Sequence, residues 1–336
     1  MLKNATLQKL ESSKNLLAFS GGGDSTALLF LLLDNNVKFD IAIVDYQVRD
    51  QSKKEVAYAK ELANKHDFKC HVLLASVPES NFEANARMVR YDFFNELIKE
   101  YEYDNLLTAH HLGDRFEWTL MQFCKGAGCV ELSGMKEFEK RDRYNLLRPL
   151  LGHEKSELLS YLNANNLKYF EDESNLDEKY QRNYFRANHS KPLLEKYASG
   201  IKKSFQYMDE DVNDLVEDSH IEELEEFAYF KASKSKRGDV VSIDRHLKAK
   251  GCLMGANEKK LLREVKTIVV SRKFVVNQEH GFVFIAPYVL AKEMPKEFKE
   301  KMRLLKIEPK LRGYLHKREN AKELIIGLLS PSRSNL

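Results

Sequence analysis

The chain has 336 residues, 43% hydrophobic and 31% charged, with a formal net charge of +3. This is an ordinary globular balance, long enough for two or three domains and apolar enough for a sizeable core, and it excludes a disordered or bilayer-embedded polypeptide. Leu28 to Leu33 is strongly apolar but far too short to span a membrane, and Met1 to Thr6 carries no signal-peptide core. The four cysteines, Cys70, Cys124, Cys129 and Cys252, are few and scattered. Cys124 and Cys129 have four residues between them rather than the two of a common zinc or redox pair, so reduced thiols in a cytoplasmic protein are expected.

In chain order, apolar runs alternate with amphipathic stretches. Strands are predicted at Asn15 to Ser20, Phe39 to Asp45, Lys69 to Leu74 and Asn105 to Ala109. Helices are predicted at Ser25 to Asp34, Lys53 to His66, Phe82 to Glu100 and Arg115 to Cys124. That alternation predicts an α/β fold with a parallel sheet covered on both faces, its ligand edge at the strand C-termini. Further on, Glu154 to Asn165 and Glu178 to Tyr197 look helical. Ser204 to Phe230 holds ten acidic residues and no Lys or Arg, with Val212, Leu215, Val216 and Leu224 among them, and is expected to be a helical linker. Strand character returns at Thr267 to Val276 and Gly281 to Ala286, around a hairpin turn at Asn277 to Gly281. Val289 to Leu336 carries twelve Lys/Arg against six Asp/Glu, a local +6 that suits a phosphate-backbone binder. The expected domains are residues 1–200, a linker at 201–235, and a small α+β domain at 236–336.

Ser20-Gly21-Gly22-Gly23-Asp24-Ser25-Thr26 follows an apolar strand and opens an apolar helix. Three glycines let the backbone turn tightly and bring N–H groups to an anion, and the helix N-terminus adds partial positive charge. Ser20, Ser25 and Thr26 offer hydroxyls to phosphate oxygens. Asp24 is a candidate to hold magnesium or to orient a neighbour. The loop lacks the lysine and spacing of a Walker loop and the spaced glycines of a dinucleotide fingerprint. Its order resembles the signature of the PP-loop ATP pyrophosphatases.

Later segments resemble one family on that loop, the tRNA(Ile)-lysidine synthetases. Asn81 to Tyr91 carries Arg87 and Arg90 on one helical face. Thr108-Ala109-His110-His111-Leu112-Gly113-Asp114-Arg115-Phe116-Glu117-Trp118-Thr119 follows the fourth predicted strand. Gly126 to Gly128, Leu132 to Met135, Arg148 to Leu151, Glu171 to Asn175 and Arg182 to Arg186 continue the family order. Two departures stand out. Val44-Asp45-Tyr46-Gln47-Val48-Arg49 replaces the usual Val-Asn-His-Gly-Leu-Arg, and Gly113 stands where the family has an aspartate. Beyond residue 200 the resemblance fades.

The resemblance implies ATP and magnesium as cofactors, and as partners a tRNA(Ile) with a CAU anticodon and free L-lysine, with no role for membranes or DNA. It implies that the C2 oxygen of the first anticodon cytidine attacks the α-phosphate of ATP and that lysine then displaces AMP. It implies phosphate binding by Ser20, Gly21, Gly22, Gly23, Asp24, Ser25 and His110, catalytic roles for Asp24, Asp114 and Arg87, and metal binding by Asp24 and Asp114. Asp45, Asp114 and Glu117 stand open between magnesium and the lysine ammonium. The rival enzyme, a tRNA thiolation enzyme on the same loop, is disfavoured by the scattered cysteines. An amide-forming synthetase is disfavoured because no ammonia-generating domain is evident. The non-enzyme reading is an RNA-binding protein that holds ATP as a structural ligand.

Overall fold

The computed structural model describes residues 2–48, 50–78, 81–171, 181–215, 220–290 and 293–329. Arg49, most of the Glu171 to Asn175 segment, the start of the Glu178 to Tyr197 helix and Val216 lie outside the described residues. The chain forms two compact units, Met1–Asp209 and Glu210–Leu336.

The first unit is built on a six-stranded sheet of order β3-β2-β1-β4-β6-β5. The strands are β1 (Asn15–Ala18), β2 (Asp40–Asp45), β3 (Cys70–Leu74), β4 (Asn105–Leu107), β5 (Phe138–Lys140) and β6 (Asn145–Leu147). All pairs are parallel except β5 with β6, an antiparallel edge. Successive side chains of a strand face opposite sides, and both sides here are covered. Leu17, Ile41, Ile43, Leu107 and Leu147 pack into one core with α2 (Gly23–Asp34), α3 (Asp50–His66) and α7 (Lys155–Ala164). Leu16, Ala42, Leu106 and Leu146 pack into the other with α4 (Phe82–Tyr101). This double burial is why the strands were visible as continuous apolar runs. β5 and β6 are too short, at three residues each, to give such a signal.

The order places β1 between β2 and β4, so the chain reverses its direction of growth there. In open α/β sheets the crevice beyond the strand C-termini at such a point is the usual ligand site. At the opposite edge, Asn15, Asn105 and Asn145 lie in register and form an amide ladder. Asn105 Nδ2 donates to Asn15 Oδ1 at 2.9 Å, and Asn145 Nδ2 donates to Asn105 Oδ1 at 3.1 Å.

The second unit carries an antiparallel sheet, β7-β8-β11-β10-β9. Its strands are β7 (Glu222–Leu224), β8 (Phe227–Lys231), β9 (Thr267–Val270), β10 (Phe274–Glu279) and β11 (Phe282–Pro287). Ala228, Phe230, Val283 and Ile285 face a core with α10 (Lys236–Ala249) and α11 (Ala256–Glu264). Phe227, Tyr229, Phe284 and Ala286 face one with α12 (Lys296–Leu304), α13 (Pro309–Lys317) and α14 (Glu319–Leu329).

Here the helical linker at 201–235 is corrected. Helix continues to Leu215, but Glu222 to Lys231 forms two strands. The acids Glu222 and Glu223 lie on the short strand β7, whose residues are exposed or half-buried, while Phe227 to Phe230 are buried, so strand and solvated acid coexist. The strand expected at Thr267 to Val276 is two strands, split by a turn in which Ser271 and Arg272 have positive φ. The next turn is confined to His280 and Gly281, both at positive φ, as a two-residue hairpin loop requires.

The ladder can be tested directly. Asn105→Ala removes the middle amide and leaves a buried acceptor on Asn15 and a donor on Asn145 unpaired. We expect the first unit to lose about 1–3 kcal/mol in urea unfolding, while ATP binding at the far edge of the sheet persists.

Candidate active site

The loop after β1 is shaped by its own hydroxyls. Gly21 sits at φ +75°, and a Cβ there would come within 3.3 Å of Glu55, so glycine is required. The Gly21 carbonyl accepts from Phe170 N at 2.9 Å and from Thr26 Oγ1 at 3.3 Å. Ser25 is buried; its Oγ donates to the Gly22 carbonyl at 3.1 Å and accepts from Ser20 N at 3.2 Å. Ser20 is the exposed hydroxyl of the loop. A Cβ on Gly23 would lie 3.2 Å from Leu159 Cδ2, so the helix start packs tightly on α7. α2 opens at Gly23 with no side-chain cap, and uncapped first-turn N–H groups of this kind suit an anion.

The facing wall follows β4. His110 Nδ1 lies 2.9 Å from Thr108 Oγ1. Burial lowers the His110 pKa to about 4, against the pull of Asp114 and with the help of the Arg148, Arg182 and Arg87 charges, so the ring is neutral near pH 7. His111 caps α5 (Leu112–Phe123): its Nδ1 accepts from Gly113 N at 3.0 Å, and its own N–H donates to Asp114 Oδ2 at 3.0 Å. His111 Nε2 lies 3.7 Å from Asp24 Oδ2 and 3.6 Å from Asp114 Oδ2, which brings the two helix starts together.

Below this lies an ion-pair network. Glu117, 2% exposed, takes Arg186 Nε on Oε1 at 2.7 Å and Arg182 Nε on Oε2 at 3.1 Å. Arg182 Nη2 also reaches Asp114 Oδ1 at 2.6 Å. Burial would raise the Asp114 pKa, but His111, Arg182, His110 and the backbone N–H of His111 outweigh it and hold the carboxyl well below the usual range. Burial would likewise lower Arg186, and Glu117 with the neighbouring aspartates overcomes it. Arg182 lies on α8 (Gln181–Phe185), and Arg186 opens a π-helical turn, Arg186–Ser190. Such turns often sit at functional sites. A second anchor is Arg115, which donates to the Ser133 carbonyl and to both oxygens of Asp209.

Of the residues singled out in the sequence, Asp24, His110 and Asp114 share this crevice with the loop. Arg87 is exposed on α4 with its guanidinium 4.6 Å from the Tyr91 ring centre, and it joins the group through its charge on His110. Asp45 is buried and spends Oδ1 on the Gln47 N–H at 2.7 Å. Both oxygens of Glu117 are committed to arginines. Sequence reasoning missed His111 as cap and bridge, because histidine is not a favoured N-cap residue. It also missed Phe170, whose contact is made by backbone and leaves no side-chain signal.

The fold and loop define the class: residues 2–193 match the family model of the PP-loop domain. The likeness extends to a solved structure, the U34-tRNA thiolase NcsA from Methanococcus maripaludis. It has a TM-score of 0.50 at 15% identity over 61% of this chain and 77% of that one, a likeness of fold. Most of the chain is similar to curated tRNA(Ile)-lysidine synthases. That of Campylobacter jejuni (strain RM1221) is 41% identical over 94% of this chain and 96% of the relative. That of Helicobacter pylori (strain 26695) is 40% identical over 92% and 91%. That of Wolinella succinogenes is 42% identical over 91% and 94%. The chain belongs to the tRNA(Ile)-lysidine synthase family.

His110 gives a pH prediction. Its folded pKa, about 4, lies below the ordinary 6.5, so the stability linked to its neutral form is fully present above about pH 6.5. It is lost as pH falls through 4. We expect His110→Gln to flatten the acid limb of a stability–pH curve between about pH 6.5 and 4, by up to about 3 kcal/mol. An unchanged limb would place the acid sensitivity elsewhere.

Proposed function

We propose that this protein uses ATP to join lysine to C2 of the first anticodon cytidine of a tRNA(Ile) with a CAU anticodon, in the cytoplasm. The observation that carries the reading is the uncapped, glycine-shaped N-terminus of α2 facing Asp114 and His110 across the sheet's reversal point, in a chain of this family. The C2 oxygen attacks the α-phosphorus and pyrophosphate departs. A lysine amine then attacks C2, the C2–O bond breaks, and AMP leaves. The loop N–H groups and the Ser20 hydroxyl hold phosphate oxygens, and Arg87 offers a charge that can swing onto them. Neutral His110 can donate or accept a hydrogen bond without adding charge. The described residues include no helix long and apolar enough to cross a membrane.

The residues fit a magnesium ion at one point. Asp24 Oδ1 is buried and has no hydrogen-bond partner. Asp114 fits less well, because Arg182 and the His111 N–H occupy its oxygens. Among the described residues no three His, Cys, Asp or Glu side chains form a metal cage. A magnesium ion on Asp24 would therefore complete its shell with phosphate oxygens and water, as is usual for this ion, and would neutralise phosphate charge. The thiolation reading gains nothing from two of the four cysteines. Cys252 lies in the core of the second unit, and Cys70 sits on β3, where burial raises its pKa and disfavours the thiolate.

The second unit is the proposed tRNA-body binder. Lys296, Lys299, Lys310 and Lys317 are exposed on α12 and α13, and Lys296, Lys299, Arg303 and Arg312 line a pocket of about 540 Å³. Arg312 Nε is held by the Ile307 carbonyl at 2.8 Å, and Arg318 faces Glu225 and Glu226, so these two have structural partners.

Purified protein with ATP, labelled lysine and bulk bacterial tRNA should put label on RNA one-for-one with AMP, and only with tRNA present. Sulfur donors supporting modification without lysine would hand the site to thiolation. Asp24→Asn should lower that rate by about 100-fold or more; near-normal turnover would remove Asp24 from the site.

For the second unit, replacing Lys296, Lys299, Lys310 and Lys317 by Ala should weaken tRNA binding and lower the salt slope by roughly one per lost phosphate contact. ATP binding should be unaffected. An unchanged slope would return RNA binding to the first unit.

A further inference from the structure

We propose that His111 is a positioning residue for Asp24, and that the absent side chain at Gly113 is what gives its ring the room to act. The inference rests on the reading that Asp24 serves the phosphates of ATP.

The His111 side chain is 8% exposed. Its Nδ1 accepts the Gly113 N–H at 3.0 Å. In a neutral imidazole an accepting Nδ1 leaves the proton on Nε2. That Nε2 stands between Asp24 Oδ2 at 3.7 Å and Asp114 Oδ2 at 3.6 Å, too long for hydrogen bonds but close enough for its N–H dipole to favour both carboxylates. The ring thus draws Asp24 by Oδ2, while Oδ1 is buried and has no hydrogen-bond partner. Asp114 is fixed independently by Arg182 and by the His111 N–H, so the ring has one rigid neighbour and one that it positions.

Gly113 is the condition for this arrangement. A Cβ there would lie 2.7 Å from His111 Cε1 and 3.0 Å from Nδ1, and Leu194 Cδ1 closes the same space at 3.8 Å. No other reason for glycine is evident. Gly113 is absent from the positive-φ glycines, so its backbone suits any residue. It lies in the first turn of α5, where alanine is the better helix former.

The test is a double-mutant cycle of Gly113→Ala and His111→Asn, read by tRNA-dependent pyrophosphate release and thermal unfolding. Asparagine is a favoured N-cap and can keep the Gly113 bond, but it has no second ring nitrogen to face Asp24. Gly113→Ala should still fold, with at most the modest fall in Tm that losing the ring cap causes, while lowering kcat by about 10- to 100-fold, with a smaller change in KM for ATP. His111→Asn should do the same. The double variant should be no worse than His111→Asn alone, because with no ring there is nothing to displace. Additive losses, or a Gly113→Ala enzyme of full activity, would overturn the proposal.

A readout independent of turnover is the ¹⁵N shift of the His111 ring. The Nε2–H tautomer is expected in the unaltered protein, with a changed signal in Gly113→Ala. An Nδ1–H tautomer in the unaltered protein refutes the proposal whatever the kinetics. Absence of pyrophosphate release from the unaltered protein would instead sink the proposed reaction, and the tautomer would still decide the role of His111.

Discussion

Two helices, α2 and α5, begin at the C-terminal ends of adjacent parallel strands, β1 and β4, and their starts face each other across the point where strand order reverses. Each start carries the partial positive charge of its helix dipole, although His111 and the His153 carbonyl already bond the first N–H groups of α5, and each carries an aspartate in its first turn, Asp24 in one and Asp114 in the other. An acid in that position stabilises its own helix by roughly 0.3–1 kcal/mol. The two carboxylates are therefore compatible with the fold before any ligand arrives, and they converge on one imidazole. Most features of the crevice depend on this opposition. The glycine loop must turn sharply to leave α2 uncapped, and His111 must cap α5 from the crevice side to reach Asp24.

Beside this site Glu117 gathers two arginines. A carboxylate almost wholly removed from water would be prohibitive alone, since desolvating an ion costs several kcal/mol even after relaxation. Two guanidinium groups answer it, and Arg182 extends to Asp114 as well. The network is therefore a clamp: it fixes the residues from Gln181 onward against α5 and consumes Glu117 in doing so. What it leaves in play is different. His110 stays neutral, Ser20 is exposed, and Arg87 stacks on Tyr91, close enough for its charge to act on His110 and free to reorient.

The first unit was legible because its strands are buried on both faces. Leu16-Leu17 and Leu106-Leu107 each send one side chain into each core, and a continuous apolar run is the only pattern that permits this. The phosphate loop was legible because its glycines and hydroxyls are contiguous. The clamp was only half legible: Arg182, Arg186 and Glu117 each stood within a recognisable segment, but nothing local says that residues 65 and 69 positions apart pair. In the second unit, charge misled. Glu222 and Glu223 belong to a short, largely solvent-facing strand ahead of Phe227 to Phe230, and an acid-rich count over the whole stretch hides the four buried residues that follow.

Hydrogen-bond satisfaction varies from place to place around the first sheet. At the N-terminal edge, three amides in register answer one another across β1, β4 and β6. At the C-terminal edge, Asp24 Oδ1 is buried without a partner in the first turn of a helix that no side chain caps, while His66 Nε2, Arg141 Nε and Arg148 Nε are unpartnered elsewhere in the same unit. An unpaired buried polar atom costs about 1–3 kcal/mol. Asp24 Oδ1 is the open acceptor beside the first-turn N–H groups of α2. A ligand that brought a cation to this oxygen would restore stability on binding.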